Sequence, residues 1–275
     1  MAKWLAGGGA MADRILGHDW ACTSLGPLEN WPDTLKTTLA LCLGSHFPQA
    51  VLWGPDLLTF HNDAFLPILG RKPVALGVPF AEVWQEAWDD IRCMADRAFK
   101  GEAVYIQDFP LVIDRNSGPE RAYFTFCYSP IRDLQGNVLG MLDTVTETTA
   151  TVLANQRLAF LDELGRAVAQ AVDPQEIMAT TTRLLANHLG LSGCTYAVMQ
   201  SDDDTFTVCG EALTDASPSL IGEHRLRDFG KQANERLRSG LALTLDDCRQ
   251  ELPDSEAAVF AALGIAATCC VPLIK

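Results

Sequence analysis

The amino-acid sequence predicts an α+β protein of two domains joined by a long helix. The chain has 275 residues, whereas a single domain typically holds about 100–200. All six tryptophans, from Trp4 to Trp88, lie in the first third, so the two parts differ in composition. Segments of helical period are followed by pairs of apolar runs with turn residues between them. This order is typical of antiparallel sheets with helices packed on them.

Residues 1–147 form the first predicted domain, which is expected to carry an N-terminal helical extension. A helix is expected to begin at Pro32 and Asp33 and to end at Gly44, and a second one is expected to carry Trp84 and Trp88 on its buried side. Turn residues separate the apolar runs around them, which is typical of hairpins. The predicted strands are Ala50–Trp53, Leu57–His61, Val104–Ile113, Arg121–Pro130 and Val138–Thr146. They predict a five-stranded antiparallel sheet with helices on one face.

Residues 148–172 form the predicted linker helix. Apolar or small residues recur there at spacings of four and three, which is the heptad alternation of a coiled coil. We call this set the apolar stripe, and it comprises Ala154, Leu158, Leu161, Gly165, Val168 and Val172. Nearly three heptads leave two interpretations open. The stripe is either the seam of a parallel dimer, which would make it a signalling helix, or a surface that packs on its own domain.

Residues 173–275 form the second predicted domain. Asp173 and Pro174 begin a helix that ends at Gly190, and Asp202-Asp203-Asp204 marks a hairpin tip. The remaining predicted elements are helices at Phe229–Leu237 and Ser255–Leu263 and extended segments at Leu241–Leu245 and Ala267–Ile274. A sheet whose last strand has no neighbour would expose an apolar edge. We therefore expect this sequence to be the front portion of a longer protein.

The charge balance disfavours several classes of partner. Acidic residues outnumber basic ones by 35 to 21, which gives a net charge of −14 at pH 7. Such a surface repels nucleic-acid phosphates and anionic lipids. There is no run of about 18 apolar residues and no apolar segment of the signal-peptide type. We expect a cytoplasmic protein that binds neither nucleic acid nor membrane.

Long stretches of both halves resemble known sensory domains. Residues 4–150 contain WLAGGGAMADRILGHDWACTSLGPLENWPDTLKTTL, WGPDLLTFHNDAFLPILGRKPVALG and AYFTFCYSPIRDLQGNVLGML. This part resembles the amino-terminal PAS domain of bacterial PAS-GAF sensor histidine kinases. The second half, from DPQEIMATTTRLLANHLGLSGCTYAVM through HRLRDFG to AALGIAATCCVPLIK, resembles the GAF domain that follows in those proteins. The family implies an antiparallel GAF sheet between helices, truncated here at its C-terminal end.

The resemblance implies the input module of a two-component phosphorelay. No H-E-x-x-x-P phosphoacceptor helix and no glycine-rich nucleotide box occurs, so this chain is expected to be non-catalytic itself. The implied partners are a second copy in a homodimer, a histidine kinase domain in cis that autophosphorylates with ATP, and a response regulator. Two alternatives stay open. The same sensors could regulate a phosphatase or a cyclic-nucleotide enzyme, or both domains could be purely structural dimerisation units.

A PAS fold implies a candidate ligand cavity between the sheet and the short helices. Its expected lining is Trp53, Phe60, His61, Asn62, Phe65, Trp84, Trp88, Phe124, Phe126 and Tyr128. Aromatic walls with a few polar groups are typical of small-molecule sites. The alternative is that these rings fill the core and leave no room. For Asn62, which directly follows the second strand, the alternative role is a cap of the next helix.

The sequence leaves the cofactor unknown and predicts neither a metal site nor a catalytic group. His61 could ligate haem iron in such a cavity, but no second motif supports it. The N-C-R-F-L-Q motif, which flavin-adduct PAS domains share, does not occur. Bilin-type GAF domains resemble one another in a D-I-P motif and a Cys-His pair, which this sequence also lacks. Nine irregularly spaced cysteines without a C-x-x-C pair are expected to be reduced thiols.

Overall fold

The computed structural model describes residues 2–116, 118–214 and 218–273. The chain divides into two compact units, Met1–Asn155 and Gln156–Lys275. The helices of the first unit are α1 Gly9–Gly17, α2 Asp33–Leu43, α3 Leu66–Leu69, α4 Phe80–Val83 and α5 Trp88–Phe99. Its strands are β1 Gln49–Trp53, β2 Leu58–His61, β3 Val104–Asp114, β4 Pro119–Arg132 and β5 Val138–Glu147.

The five strands form one antiparallel sheet in the order β2-β1-β5-β4-β3. Alternation of side chains across β4 explains how the sheet builds a core, since Phe124, Phe126 and Tyr128 are all buried on the same face. Helices α3 to α5 cover that face, and we call it the inner face. The predicted α+β class and the five-stranded sheet are confirmed.

The N-terminal extension covers the opposite, outer face of β1 and β2. Helices α1 and α2 pack there together with Trp20 and Trp31, against Phe60 of β2. The two indole rings lie 5.3 Å and 5.4 Å from the Phe60 ring, and each indole N–H donates to a backbone carbonyl, of Ile15 and Gly26 respectively. The sequence predicts an N-terminal helical extension but does not define α1 within it. Part of the tryptophan-rich character of the first third therefore comes from this outer layer.

Helix α6, Thr149–Ala169, begins two residues after the sheet ends. Its start is tied to β4, because Thr148 N–H donates to the Tyr123 carbonyl at 2.8 Å and Tyr123 N–H donates to Thr149 Oγ1 at 2.9 Å. No residue of α6 is fully buried. The helix ends at Ala169, so Val172, which the heptad pattern assigned to the apolar stripe, lies beyond it and is 94% exposed. That assignment was wrong, since the pattern cannot locate where a helix ends.

The second unit continues with two antiparallel sheets and four helices among its described residues. The helices are α7 Pro174–Leu189, α8 Lys231–Arg238, α9 Cys248–Glu251 and α10 Asp254–Ala262. The strands are β6 Gly193–Met199, β7 Thr205–Leu213, β8 Gly222–Arg225, β9 Leu243–Leu245 and β10 Thr268–Cys270. One sheet has the order β6-β7-β8, and the other pairs β10 with β9. The predicted final extended segment reached Ile274, which lies outside the described residues.

Local signals explain where α7 begins and ends. Asp173 accepts a hydrogen bond from Gln175 N–H at the start, and Gly190 adopts the left-handed conformation after the last turn. The predicted hairpin between β6 and β7 is present, with Asp202 accepting from two backbone N–H groups at its tip. In the part of the chain that the structure describes, no helix has the length and apolar character to cross a membrane.

Candidate ligand cavity in the first unit

A row of five directly opposed residues crosses the inner face of the first sheet. From β3 to β2 these are Val104, Tyr128, Asp143, Ala50 and His61. Each is at most 3% exposed. Directly opposite residues in antiparallel strands have Cβ atoms roughly 4.5–5.5 Å apart. The row therefore places a carboxyl, a phenol and an imidazole in one buried layer, with the small Ala50 between the carboxyl and the imidazole.

An apolar cavity of about 40 Å³ lies between this face and the helices. Its lining is Phe65, Ile68, Phe80, Trp84, Ala87, Ile91, Leu111, Ile113, Phe124, Phe126, Tyr128, Asp143 and Val145. Six of these residues are aromatic, and one carries a carboxyl group. A water molecule needs roughly 10–15 Å³ of cavity volume when the volume is measured with a water-sized sphere. The cavity therefore holds about two or three water-sized groups. It is far smaller than the roughly 300–1,000 Å³ of a drug-sized ligand site.

Among the ionisable groups that line the cavity, Asp143 has the most unusual environment. Its Oδ1 is buried without a hydrogen-bond partner. Burial alone raises the pKa of Asp143 to about 8, because no compensating charge offsets the loss of water around the carboxylate. The carboxyl is therefore mostly protonated at pH 7. Tyr128, directly opposite, also has a pKa well above its usual value, through burial first and the nearby Asp143 charge second.

His61 lies on the inner face beside the cavity without lining it. Its Nδ1 is 2.9 Å from the Asn62 carbonyl oxygen, and its ring stacks on Phe65 with centroids 5.5 Å apart. Burial lowers the pKa of His61, although the contact with the Asn62 carbonyl opposes that effect. Nε2 is buried and has no partner. The neutral imidazole is thus held as part of the core packing.

Asn62 organises the turn that follows β2. Its amide nitrogen lies within 3.1 Å of the carbonyl oxygens of Cys42, Ser45 and Phe47. Its Oδ1 accepts from the N–H groups of Gln49 and Phe65. The side chain caps the turn and joins it to the end of α2 and the start of β1. Asn62 therefore has the position of a cap and not that of a ligand-contacting residue.

The structure separates the predicted cavity residues into two groups. Phe65, Trp84, Phe126 and Tyr128 line the cavity, together with Phe124. Trp53 and Phe60 belong to the outer layer, because their positions have the opposite parity to Ala50 and His61 along β1 and β2. Trp88 is half-buried and packs its ring against Phe80 with centroids 6.3 Å apart. Trp53, Phe60, His61, Asn62 and Trp88 therefore do not line the cavity.

Sequence reasoning missed Asp143. A usable signal was present, because Met141, Asp143 and Val145 occupy alternate positions of a predicted strand and two of the three are apolar. An acidic residue in an inward-facing set is rare unless it is paired or functional. Phe80 and Ile91, two apolar residues of the cavity lining, lie in α4 and α5. The sequence defines less clearly which sides of these helices face the sheet.

The second unit contains a larger and more open cleft of about 690 Å³. It is lined by Thr205, Glu223, His224, Arg225, Asp228, Phe229, Ala258, Val259, Ala262 and Leu263. The His224 ring stacks on Phe206, and its Nε2 is 2.8 Å from the Leu220 carbonyl oxygen. Charges of both signs rim the cleft. Among the described residues of the whole chain, no group of three or more His, Cys, Asp and Glu side chains is arranged to hold a metal ion.

Comparison with known proteins identifies the fold of the first unit. Residues 47–153 match the family model described as the PAS fold. No curated protein matches the chain. Residues 47–153 of the first unit therefore have the PAS fold, and the helices α1 and α2 precede them.

The solved structures to which this chain is similar include two phytochrome fragments. The chromophore-binding domain of Stigmatella aurantiaca phytochrome P1 is 14% identical, with 84% of this chain and 82% of that chain covered and a TM-score of 0.39. The phycocyanobilin-bound GAF domain of a cyanobacterial phytochrome is 18% identical, with 43% and 72% covered and a TM-score of 0.38.

Proposed function

We propose that this chain is the sensory input region of a two-component sensor histidine kinase, in which a PAS domain and a GAF domain report through α6. The observation that carries the proposal is the direct connection from the PAS sheet into an exposed helix with apolar residues on its surface. Leu158 is 64% exposed and Leu161 is 48% exposed. Exposed leucines of this kind at heptad spacing are typical of a helix that pairs with another helix.

The geometry of α6 favours a second copy as the partner of the apolar stripe. At about 100° per residue, Leu158, Leu161 and Gly165 fall within an arc of about 60°. Phe160, Leu164 and Ala167 lie about 90–150° around the helix from the middle of that arc and are half-buried. On that side the Phe160 ring stacks on His188 of α7 at 4.2 Å. In the stripe, Ala154, Leu158, Leu161 and Gly165 are exposed, whereas Val168 is half-buried. The exposed part of the stripe therefore faces away from α7, which supports a homodimer seam over packing within the domain.

The dimer is tested by the mass of the 275-residue chain in solution, measured by light scattering after size-exclusion chromatography. We expect a dimer, and we expect Leu158→Asp or Leu161→Asp to weaken self-association at least tenfold, because a charge in a coiled-coil seam must lose its water. The control is Leu134→Asp, at a fully exposed position of the β4–β5 hairpin. A monomeric wild-type chain, or equal effects of all three substitutions, would overturn the seam.

The kinase output is tested on the gene and its full product. We expect the reading frame that encodes this chain to encode a phosphoacceptor helix and an ATP-binding domain as well, and the product to autophosphorylate on histidine with ATP. A phosphatase domain or a cyclic-nucleotide enzyme domain in that frame would overturn the histidine kinase output. It would support the alternative in which the same sensors regulate a different enzyme. A frame with no output domain at all would favour the structural dimerisation module.

A further inference from the structure

We propose that the cavity under α3, α4 and α5 binds a small organic cation, a primary or methylated ammonium of about two or three non-hydrogen atoms, with its charge on Asp143. This inference rests on the proposed sensory function and names a ligand class for it. It combines three observations: a buried carboxyl without a partner, a wall of aromatic rings, and a space of limited volume.

The carboxyl is the first of these observations. Asp143 is 3% exposed, lines the cavity, and leaves Oδ1 without a hydrogen-bond donor. Buried polar atoms in native proteins are nearly always paired, so this oxygen points to a missing partner. A donor that also brings a positive charge would satisfy the atom and compensate the charge at the same time.

The aromatic wall is the second observation. Ring faces attract cations through their quadrupole, and aromatic cages recognise methylated ammonium groups. Two of the lining rings already have a cation of the protein nearby, since Lys72 Nζ is 5.1 Å from the Trp84 ring centre and Arg115 Cζ is 5.8 Å from that of Phe124. Neither basic residue lines the cavity. The rings of Phe126 and Tyr128 have no such cation among the described residues. Tyr128 lies directly opposite Asp143 on β4, and Phe126 is the diagonal neighbour of Asp143.

The volume restricts the ligand to a very small one. About 40 Å³ accommodates two or three water-sized groups, which matches methylammonium or dimethylammonium. Ligands of two or three atoms reach at best about millimolar dissociation constants. A metal ion fits poorly, because Ca²⁺ takes six to eight oxygen ligands and Mg²⁺ about six, whereas one carboxyl and one phenol are the oxygen-bearing side chains of the lining.

The protonation of Asp143 makes the proposal sharply testable. Below the Asp143 pKa of about 8, an ammonium ion displaces the carboxyl proton to solvent, so about one proton leaves for each cation bound. Above that pKa the carboxylate binds the cation without releasing a proton. The titratable groups that face or couple to Asp143 are Tyr128 from β4 and Cys42 from α2. The helices contribute only Phe65, Ile68, Phe80, Trp84, Ala87 and Ile91 to the lining, and none of these side chains titrates.

The probe is methylammonium chloride, added to the 275-residue chain with isotope-labelled isoleucine methyl groups. Ile68, Ile91 and Ile113 line the cavity, whereas Ile177, Ile221 and Ile265 of the second unit serve as internal controls. We expect only the first three NMR signals to shift, with a millimolar dissociation constant. Affinity is expected to rise about tenfold from pH 7 to pH 9, because ionisation of a carboxyl with a pKa of about 8 favours the cation.

Two comparisons identify the chemistry. Asp143→Asn keeps the side-chain volume but cannot ionise, so we expect methylammonium binding to fall at least tenfold and to lose its pH dependence. Asp56→Asn, in the exposed turn between β1 and β2, should bind as the wild type does. Methanol, a neutral molecule of the same size, should leave the three signals unchanged. The pH profile of the wild-type protein is an independent measurement should Asp143→Asn fail to fold.

Other results would overturn the ligand class. Equal shifts with methanol would indicate a neutral ligand, and no shift at any pH would indicate a cavity that holds water only. Either result leaves the α6 dimer and the kinase output to their own tests. A monomeric chain that still binds methylammonium would overturn the proposed signal transmission through a dimeric α6. It would leave the proposed binding site in place.

Discussion

Arg115 binds Glu147 through two hydrogen-bond-length contacts of 2.9 Å, from Nη2 to Oε1 and from Nη1 to Oε2. Arg115 follows β3, and Glu147 is the last residue of β5. The same guanidinium lies 3.3 Å from the Ile68 carbonyl of α3, and Glu147 accepts from Thr149 at the first position of α6. One buried cation thus connects a cavity-lining helix, the end of the sheet and the start of the exposed helix.

Arg115→Met is expected to destabilise the first unit by about 1–3 kcal/mol. It removes the ion-pair partner of the Glu147 carboxylate, whose side chain is 31% exposed, and it keeps most of the apolar stem. Urea unfolding followed by tryptophan fluorescence measures this, since all six tryptophans lie in the first unit. Arg92→Met is the control, because the Arg92 side chain is 65% exposed and its ion pair is long. Equal effects of the two substitutions would contradict the prediction.

The same pair predicts an acid dependence. Burial opposes ionisation of Glu147, but hydrogen bonds from Arg115 and Thr149 outweigh it and hold the pKa below the usual 4.5. A lowered pKa stabilises the fold above the pKa of the unfolded chain, and that contribution disappears as the pH falls through the folded value. The difference in unfolding free energy between wild type and Arg115→Met should therefore shrink below about pH 4. A difference independent of pH would show that packing, and not charge, accounts for it.

Asp143 is expected to give the opposite pH dependence to Glu147: its contribution to the unfolding free energy decreases as the pH rises. The variant that tests this is Asp143→Asn. The folded pKa of about 8 lies above the usual value of about 3.9, so between these values the folded chain keeps a proton that the unfolded chain has lost. Stability then falls by about 1.4 kcal/mol per pH unit over that window and is level above it. Asp143→Asn has no carboxyl at this position and therefore lacks this pH dependence. Its unfolding free energy relative to that of wild type should increase from pH 5 to pH 8. Tryptophan-monitored unfolding at several pH values measures the difference, and parallel curves would contradict a buried neutral carboxyl.

Much of the fold could be predicted because its signals are local. Turn residues between short apolar runs identified the β1–β2 and β4–β5 hairpins, and the alternation along β4 identified its buried face. Asp173 and Gly190 mark the ends of α7 in the sequence itself. The strand order β2-β1-β5-β4-β3 was not predicted, because local patterns show where strands lie and not which strands pair.

The cavity lining could be predicted only in part. Strand parity decides which face a residue occupies, and every residue of β1 after Gln49 is buried, since both faces of the sheet are covered. The sequence therefore shows no alternation there, and Trp53 and Phe60 were assigned to the wrong face. The outer layer that buries them consists of α1, α2, Trp20 and Trp31. Within it, α1 begins in a glycine-rich segment and has no strong start signal. Asp143 was missed because one acid in an apolar strand is easily taken for an edge position.

Asn62→Ala is expected to cost about 2–3 kcal/mol of unfolding free energy, because it leaves backbone carbonyl and N–H groups around the turn without partners. The effect should appear in the tryptophan-monitored transition. Asn155→Ala is the matched control, on the exposed surface of α6. If Asn62 served a ligand and not the fold, the two variants would unfold at the same urea concentration.

Gly140 and Gly165 predict opposite outcomes for the same substitution. A Cβ at Gly140 would collide with the Leu52 carbonyl across the β1–β5 pair, whereas nothing lies near a Cβ at Gly165 in α6. Gly140→Ala should therefore destabilise the first unit by at least about 2 kcal/mol through displaced strands. Gly165→Ala should stabilise the helix by about 0.5–1 kcal/mol, because alanine loses less backbone entropy there. Tryptophan fluorescence measures the first effect and thermal loss of helical circular dichroism the second. A stable Gly140→Ala variant would contradict the close β1–β5 contact.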